Sequence, residues 1–266
     1  AAMVHPVREN PVSGEGSRMT DSSAPPLTLR YAAHTDRGLV RGENLDAAWA
    51  GDGLLAVADG FGPPSPNGLV SAAALQAMAA APAPQPGALL DGLRLAAQRA
   101  ADAVRALTTS DSALSGAGTT LTALAWSGSE LALVHVGDSR AYLLRNGDLL
   151  QLTHDDTLVQ GMIDKGELTE HEAARHPQRA ILTRALHGGD IVEPSVLPQY
   201  DPSPGDRYLL CSDGLHTVLH PVVLRDTLMR HQDPNGVVGE LIALVRRAGA
   251  PDNVAIVVAD VLPPRR

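Results

Sequence analysis

Four aspartates stand just past or just before short apolar runs: Asp59 after Leu54–Ala58, Asp138 after Leu131–Val136, Asp213 after 208–211, and Asp252 before 254–258. Apolar runs of this length bounded by turn residues read as strands. The ends of strands place side chains rigidly, so carboxylates far apart in sequence can converge there on one cleft. Taken singly, each Asp caps a turn. Taken together, uncompensated carboxylates would raise one another's pKa and destabilise the fold, so the set calls for cations between them. An all-oxygen set suits a hard divalent ion.

Antiparallel elements must carry these residues. Asn146-Gly147 lies between the apolar runs 141–145 and 148–152, and Asn-Gly between such runs is the strongest short hairpin signal. The run 119–126, the turn Ser127-Gly128-Ser129 and the run from Leu131 extend this into an expected meander of about four strands through the middle of the chain. Helical stripes flank it. Leu90, Leu93, Ala97, Ala100, Val104 and Leu107 alternate spacings of three and four, as do Leu69, Val70, Ala73, Ala74, Ala77 and Met78, and later Val237, Val238, Leu241, Ile242 and Val245. Strands clustered between helices argue for an α+β sandwich rather than strict βαβ alternation. Residues 155–184 are polar and helical in pattern, and read as a surface flap.

The chain has 266 residues, 44% of them hydrophobic, enough for one large core. Residues 1–26, rich in Pro, Ser, Gly and charge, read as a flexible tail, with Met19 as a candidate native start. Residues 27–266 read as a single domain. The formal net charge of -9 and the absence of basic runs exclude a nucleic-acid surface. Cys211 is the only cysteine, so no intrachain disulfide forms, and no apolar run approaches the roughly 18 residues of a membrane span. A cytoplasmic protein is expected, with no membrane partner.

Motifs then occur in one order from residue 36 to 254: 36–46 (DRGLVRGENLD), 57–60 (VADG), 116–120 (GAGTT), 137–140 (GDSR), 211–214 (CSDG) and 251–254 (PDNV). In these motifs the chain resembles the PPM family of metal-dependent serine/threonine protein phosphatases, the type 2C enzymes, in its bacterial form. The resemblance implies a four-layer α-β-β-α sandwich of two antiparallel sheets flanked by helices. It implies that Asp59 bridges two metal ions with the Gly60 carbonyl as a further ligand, and that Asp213 and Asp252 hold one ion directly. Asp46 would act through water, and Asp138 with Asp213 would contribute to a third position. Arg41, Asp59 and Asp213 are the implied catalytic residues. A hydroxide bridging the two ions would attack phosphorus with no covalent intermediate, while Arg41 holds the phosphoryl oxygens through its planar fork.

Oxygen ligands favour Mn²⁺ or Mg²⁺ over Zn²⁺. The implied partners are phosphorylated proteins, substrates of a cognate Ser/Thr kinase, and a monomer is expected. Competing chemistries lack support. A cysteine phosphatase needs Arg six residues after its thiol, where this chain has Thr217, and no Gly-x-Ser-x-Gly elbow appears. Cys211 reads as core, and His154 and His176 read as flap surface.

Three departures from the family pattern stand out. Leu45 replaces a Glu, Thr217 replaces an Asp that supports the third ion, and 61–67 contains three prolines where bacterial members continue Met-Gly-Gly. Two ions are therefore expected, with the third weak or absent. The alternative function is a weakened pseudophosphatase that binds phosphoproteins or another partner without turning them over. Substrate specificity is expected from the flap and the 61–67 loop.

Overall fold

The computed structural model describes residues 27–51, 53–63, 68–81, 87–189 and 194–264. The tail at 1–26 and positions 64–67 of the proline-containing loop lie outside the described residues.

Two five-stranded antiparallel sheets face each other. The first runs β1 (Thr28–Asp36), β13 (Val254–Leu262), β12 (Arg207–Cys211), β8 (Arg140–Arg145), β9 (Asp148–Gln151). The second runs β11 (Ser195–Tyr200), β7 (Leu131–Val136), β6 (Leu121–Trp126), β3 (Leu54–Ala58), β2 (Ala47–Gly51). A small sheet of β10 (Leu186–His187), β5 (Gly118–Thr119) and β4 (Gly60–Phe61) sits beside them.

The central strands are buried on both faces, which is why they read as continuous apolar runs. Leu55, Val57, Leu133, Tyr208, Leu210 and Val257 fill the space between the sheets. Their alternate neighbours point outward. Ala56, Ala58 and Val134 pack under α1 (Leu69–Ala79) and α2 (Leu89–Ser110). Leu209, Cys211, Ile256 and Val258 pack under α6 (Pro221–Arg230) and α7 (Pro234–Arg247). Three apolar layers thus bind four structural layers, the α-β-β-α sandwich expected from the motifs.

All three helical stripes form helices; in α1 the buried face is Val70, Ser71, Ala74, Leu75 and Met78, while Leu69, placed in the stripe, is 41% exposed. The Asn146-Gly147 hairpin forms as well, with φ of 54° and 88°, the two positive values of a type I′ turn. The meander does not run through one sheet. β6 and β7 pair in one sheet and β8 and β9 in the other, so the chain crosses the sandwich at 137–139. Gly137 permits this with φ 105°, at a point where a Cβ would strike the Thr120 side chain. Thr119 also leaves the expected run for the small sheet, paired with Gly60 and Leu186.

The flap holds two short helices, α3 (Leu158–Asp164) and α4 (Glu170–Ala173). Its ends meet at the crossover: Gly137 N donates to Asp156 Oδ2 at 3.0 Å, Asp156 N donates to Gly137 O at 2.7 Å, and Arg184 lies 3.2 Å from Asp156.

Candidate active site

Five carboxylates gather at one end of the sandwich. Asp46 precedes β2, Asp59 follows β3, Asp138 lies in the β7–β8 crossover, Asp213 opens α5 (Asp213–His216) after β12, and Asp252 precedes β13. The register dictates this, since Ala47 opposes Ala58, Leu121 opposes Val136, and Cys211 opposes both Arg140 and Ile256. Both sheets therefore present their acid-bearing ends to the same cleft.

The side chains interact strongly. Asp59 lies within hydrogen-bonding reach of Asp46 and Asp213. Burial, reinforced by the charges of Asp46, Asp213, Asp138 and Asp252, pushes Asp59 well above the usual carboxylate range. Burial raises Asp46 to about 7, although Ser212 donates a hydrogen bond to it and opposes the rise. Asp138 is raised to about 8 by burial and by the charge of Asp213. Asp213 is raised by burial and by Asp252. Such a cluster holds protons or cations.

Among the described residues no three His, Cys, Asp or Glu side chains close around a single point as they stand. A hard ion draws only part of its shell from side chains and the rest from carbonyls and water. The donors here are oxygen only, and the mutual repulsion of the carboxylates is relieved by positive charge. On both counts the residues fit Mg²⁺ or Mn²⁺.

Uncharged residues set the positions of these acids. Asp59 is clamped through its backbone: its N–H donates to Thr120 Oγ1 at 3.0 Å, and its carbonyl accepts from Thr120 N at 2.9 Å and Thr119 Oγ1 at 3.0 Å. Ser212, fully buried, donates to Asp46 Oδ2 at 2.7 Å and accepts from Ala255 N at 2.8 Å, tying the two sheets together. Asn253 donates to the carbonyls of Arg37 and Glu43 at 2.8 and 2.9 Å and accepts from Leu45 N at 2.8 Å, which holds the loop bearing Arg41. Thr119, Thr120 and Asn253 stood in the motifs without a role. For Asn253 the signal was its place beside Asp252; Thr119 and Thr120 have no Asp next to them in sequence and only the fold brings them to Asp59.

Arg41 does not stand apart as a phosphate fork. It forms a bidentate pair with Asp252, at 2.8 and 2.6 Å, on an exposed rim. His216 is a neighbour that the sequence reading missed. Its Nε2–H donates to the Asp138 carbonyl at 2.9 Å, and burial lowers its pKa to about 4. It lies one helical turn beyond Asp213, the spacing that could have exposed it. His154 is engaged within the flap by Asp164 at 3.0 Å, and the His176 ring accepts from Gln178 N.

The departing positions are also accounted for. The Thr217 hydroxyl turns back onto the Asp213 carbonyl at 2.7 Å. The Leu45 side chain lines a small apolar pocket with Phe61 and Val70.

Residues 30–255 match the family model described as Protein phosphatase 2C. The chain belongs to the protein phosphatase 2C family. Among relatives of this family, it is 45% identical over 237 residues to the serine/threonine protein phosphatase PstP of Mycobacterium tuberculosis, a match covering 89% of this chain and 46% of that protein. The chain thus spans about half the length of that relative. It is 31% identical to the serine/threonine phosphatase stp of Listeria welshimeri, covering 85% of this chain and 93% of that one. The crystal structure of the catalytic domain of PstP in complex with two manganese ions superposes with a TM-score of 0.81 at 43% identity, covering 89% of this chain and 99% of that one.

Proposed function

We propose that this protein phosphatase 2C chain is a metal-dependent protein serine/threonine phosphatase that hydrolyses phosphoserine and phosphothreonine monoesters by direct attack of water. The observation that carries the reading is the convergence of Asp46, Asp59, Asp138, Asp213 and Asp252 on one cleft beside Arg41. Asp59 and the Gly60 carbonyl would hold two Mn²⁺ or Mg²⁺ ions between them, with Asp213 and Asp252 on one ion and Asp46 acting through water. Two such ions, when bound, neutralise the acids and lower the pKa of water toward neutrality. Two manganese ions in the PstP domain support this count and this metal. Asp138 with Asp213 would serve a third position, left weak because Thr217 offers its hydroxyl to the backbone instead.

Arg41 would release Asp252 to grip the phosphoryl oxygens bidentately, one carboxylate exchanged for another anion of similar shape. No thiolate competes as nucleophile. Cys211 is fully buried, and burial pushes its thiol up to about 12. Phosphorylated proteins, made by a cognate Ser/Thr kinase, are the partners in this reading, and residues 27–266 act as one monomeric domain carrying the flap. Among the described residues no helix is long and apolar enough to cross a membrane. We place the domain in the cytoplasm, a compartment compatible with its free thiol.

Leu45 and Thr217 favour a second reading, a pseudophosphatase that binds without turnover. Purified protein with Mn²⁺ and p-nitrophenyl phosphate or a phosphothreonine peptide separates the two. The enzyme requires metal-dependent turnover that Asp213→Ala abolishes; absent turnover together with no micromolar Mn²⁺ uptake in calorimetric titration assigns the binding module.

A further inference from the structure

A cavity of about 480 Å³ opens between the C-terminal end of α2, the turn at 115–117, the turn that follows β10 and Phe61, two residues beyond Asp59. Ligand pockets span roughly 300–1,000 Å³, so the space is of ligand size. Phe61 forms one wall. It is the chain's single phenylalanine and it stays 36% exposed. Gly60, an implied metal ligand, precedes it directly.

Among the described residues no Asp, Glu, Lys or Arg lines the cavity. The α2 hydroxyls are already engaged, Thr108 Oγ1 donating to Val104 O at 2.8 Å and Thr109 Oγ1 to Arg105 O at 2.7 Å. A Cβ on Gly188 would lie 2.7 Å from Thr108 Oγ1 and 3.5 Å from the Thr109 methyl, so the absent side chain leaves room against both threonines. His187 Nδ1 is taken by Gly189 N at 2.8 Å. Room comes from absent side chains. At Gly116, φ 81°, nothing lies within 4 Å of the Cβ position.

We infer that this cavity is a specificity subsite that takes an uncharged, apolar side chain from the substrate segment flanking the phosphorylated Ser or Thr. The inference rests on the phosphatase reading above. Asp59 to Phe61 spans two residues, about 3.3 Å each when extended, the reach of an immediate neighbour of the phosphoresidue. A charged flanking residue would be desolvated there without a partner.

The test uses phosphothreonine peptides identical except for Leu or Asp at the adjoining positions, with p-nitrophenyl phosphate as a substrate too small to reach the cavity, all with Mn²⁺. Wild type should prefer the Leu peptide by about tenfold in kcat/KM, the order of discrimination an apolar pocket provides. Thr109→Trp and Ser115→Trp, at two exposed positions of the rim, should each erase that preference through KM and leave p-nitrophenyl phosphate turnover unchanged. Wild type without the preference, or both variants retaining it, overturns the subsite while the phosphatase reading stands. Failure of wild type to hydrolyse p-nitrophenyl phosphate overturns both.

Discussion

Asp59 owes its unusual acid–base state to the company it keeps. A carboxylate in water loses its proton near pH 4; here burial and neighbouring acids hold the proton on. Ser212 is the main counterweight at Asp46, through a 2.7 Å hydrogen bond. Ser212→Ala should therefore raise Asp46 further and leave the Ala255 N–H unpaired. We expect a loss of about 1–3 kcal/mol in chemical denaturation and about tenfold weaker Mn²⁺ binding by calorimetric titration. Arg41 behaves differently, because it is 57% exposed and paired at the rim. A rim pair contributes about 0–1 kcal/mol to stability, so Arg41→Ala should hardly change the melting temperature. If the guanidinium grips phosphate, kcat/KM should fall by about ten- to a hundredfold, with most of the change in KM. An unaltered KM would remove Arg41 from the substrate site.

At the scale of elements, the site depends on two close approaches. α5 meets the 252–253 segment at Gly214, where a Cβ would collide with the Asn253 carbonyl oxygen. Gly214→Ala must push Asp213 away from Asp252. Metal affinity should drop at least tenfold, with a smaller effect on the far-UV spectrum, since α5 is only one turn long. The flap is fastened by Arg140, which grips Asp155 at 2.7–3.1 Å, with Asp155 only 8% exposed. Asp155→Ala leaves a partly buried guanidinium with no bidentate carboxylate and only the Tyr142 hydroxyl at 3.2 Å, a cost of about 3 kcal/mol. Faster proteolysis within 155–184 should accompany it; equal cleavage rates in wild type and variant would show that the pair does not anchor the flap.

For the whole molecule, the cluster sets how stability responds to pH. In the unfolded chain Asp46 and Asp138 titrate near 3.9, whereas the fold holds their protons to about 7 and about 8. The folded state thus binds more protons between these values, and stability falls as pH rises through them. His216 acts in the opposite sense, since its folded value of about 4 lies below the unfolded value of about 6.5. It favours the fold as pH rises from 4 to 6.5 and is silent above. Between pH 6.5 and 8 only the carboxylates contribute, so with chelator present the melting temperature should decline across that window. Saturating Mn²⁺ should flatten or reverse the decline, because cations replace the protons. A chelated protein whose melting temperature is constant from pH 6.5 to 8 would contradict the raised values.

Local physics made much of this protein readable from its residues. Apolar runs of four to six residues marked the strands because these are covered on both faces. Spacings of three and four marked α1, α2 and α7, and Asn146-Gly147 marked its hairpin. The motif order was enough for the family and for the acids. Which sheet each strand joins was not readable, because a crossing at Gly137 and a continued meander look alike until Thr120 takes up the space beside it. Nor was the Arg41–Asp252 pair, which joins residues 211 positions apart, or the Ser212–Asp46 contact across 166. Side-chain type and neighbour spacing are properties of a short stretch of chain. Proton affinity, pairing and the cavity behind Phe61 are properties of what the folded sheets bring near, and only the tertiary structure decides them.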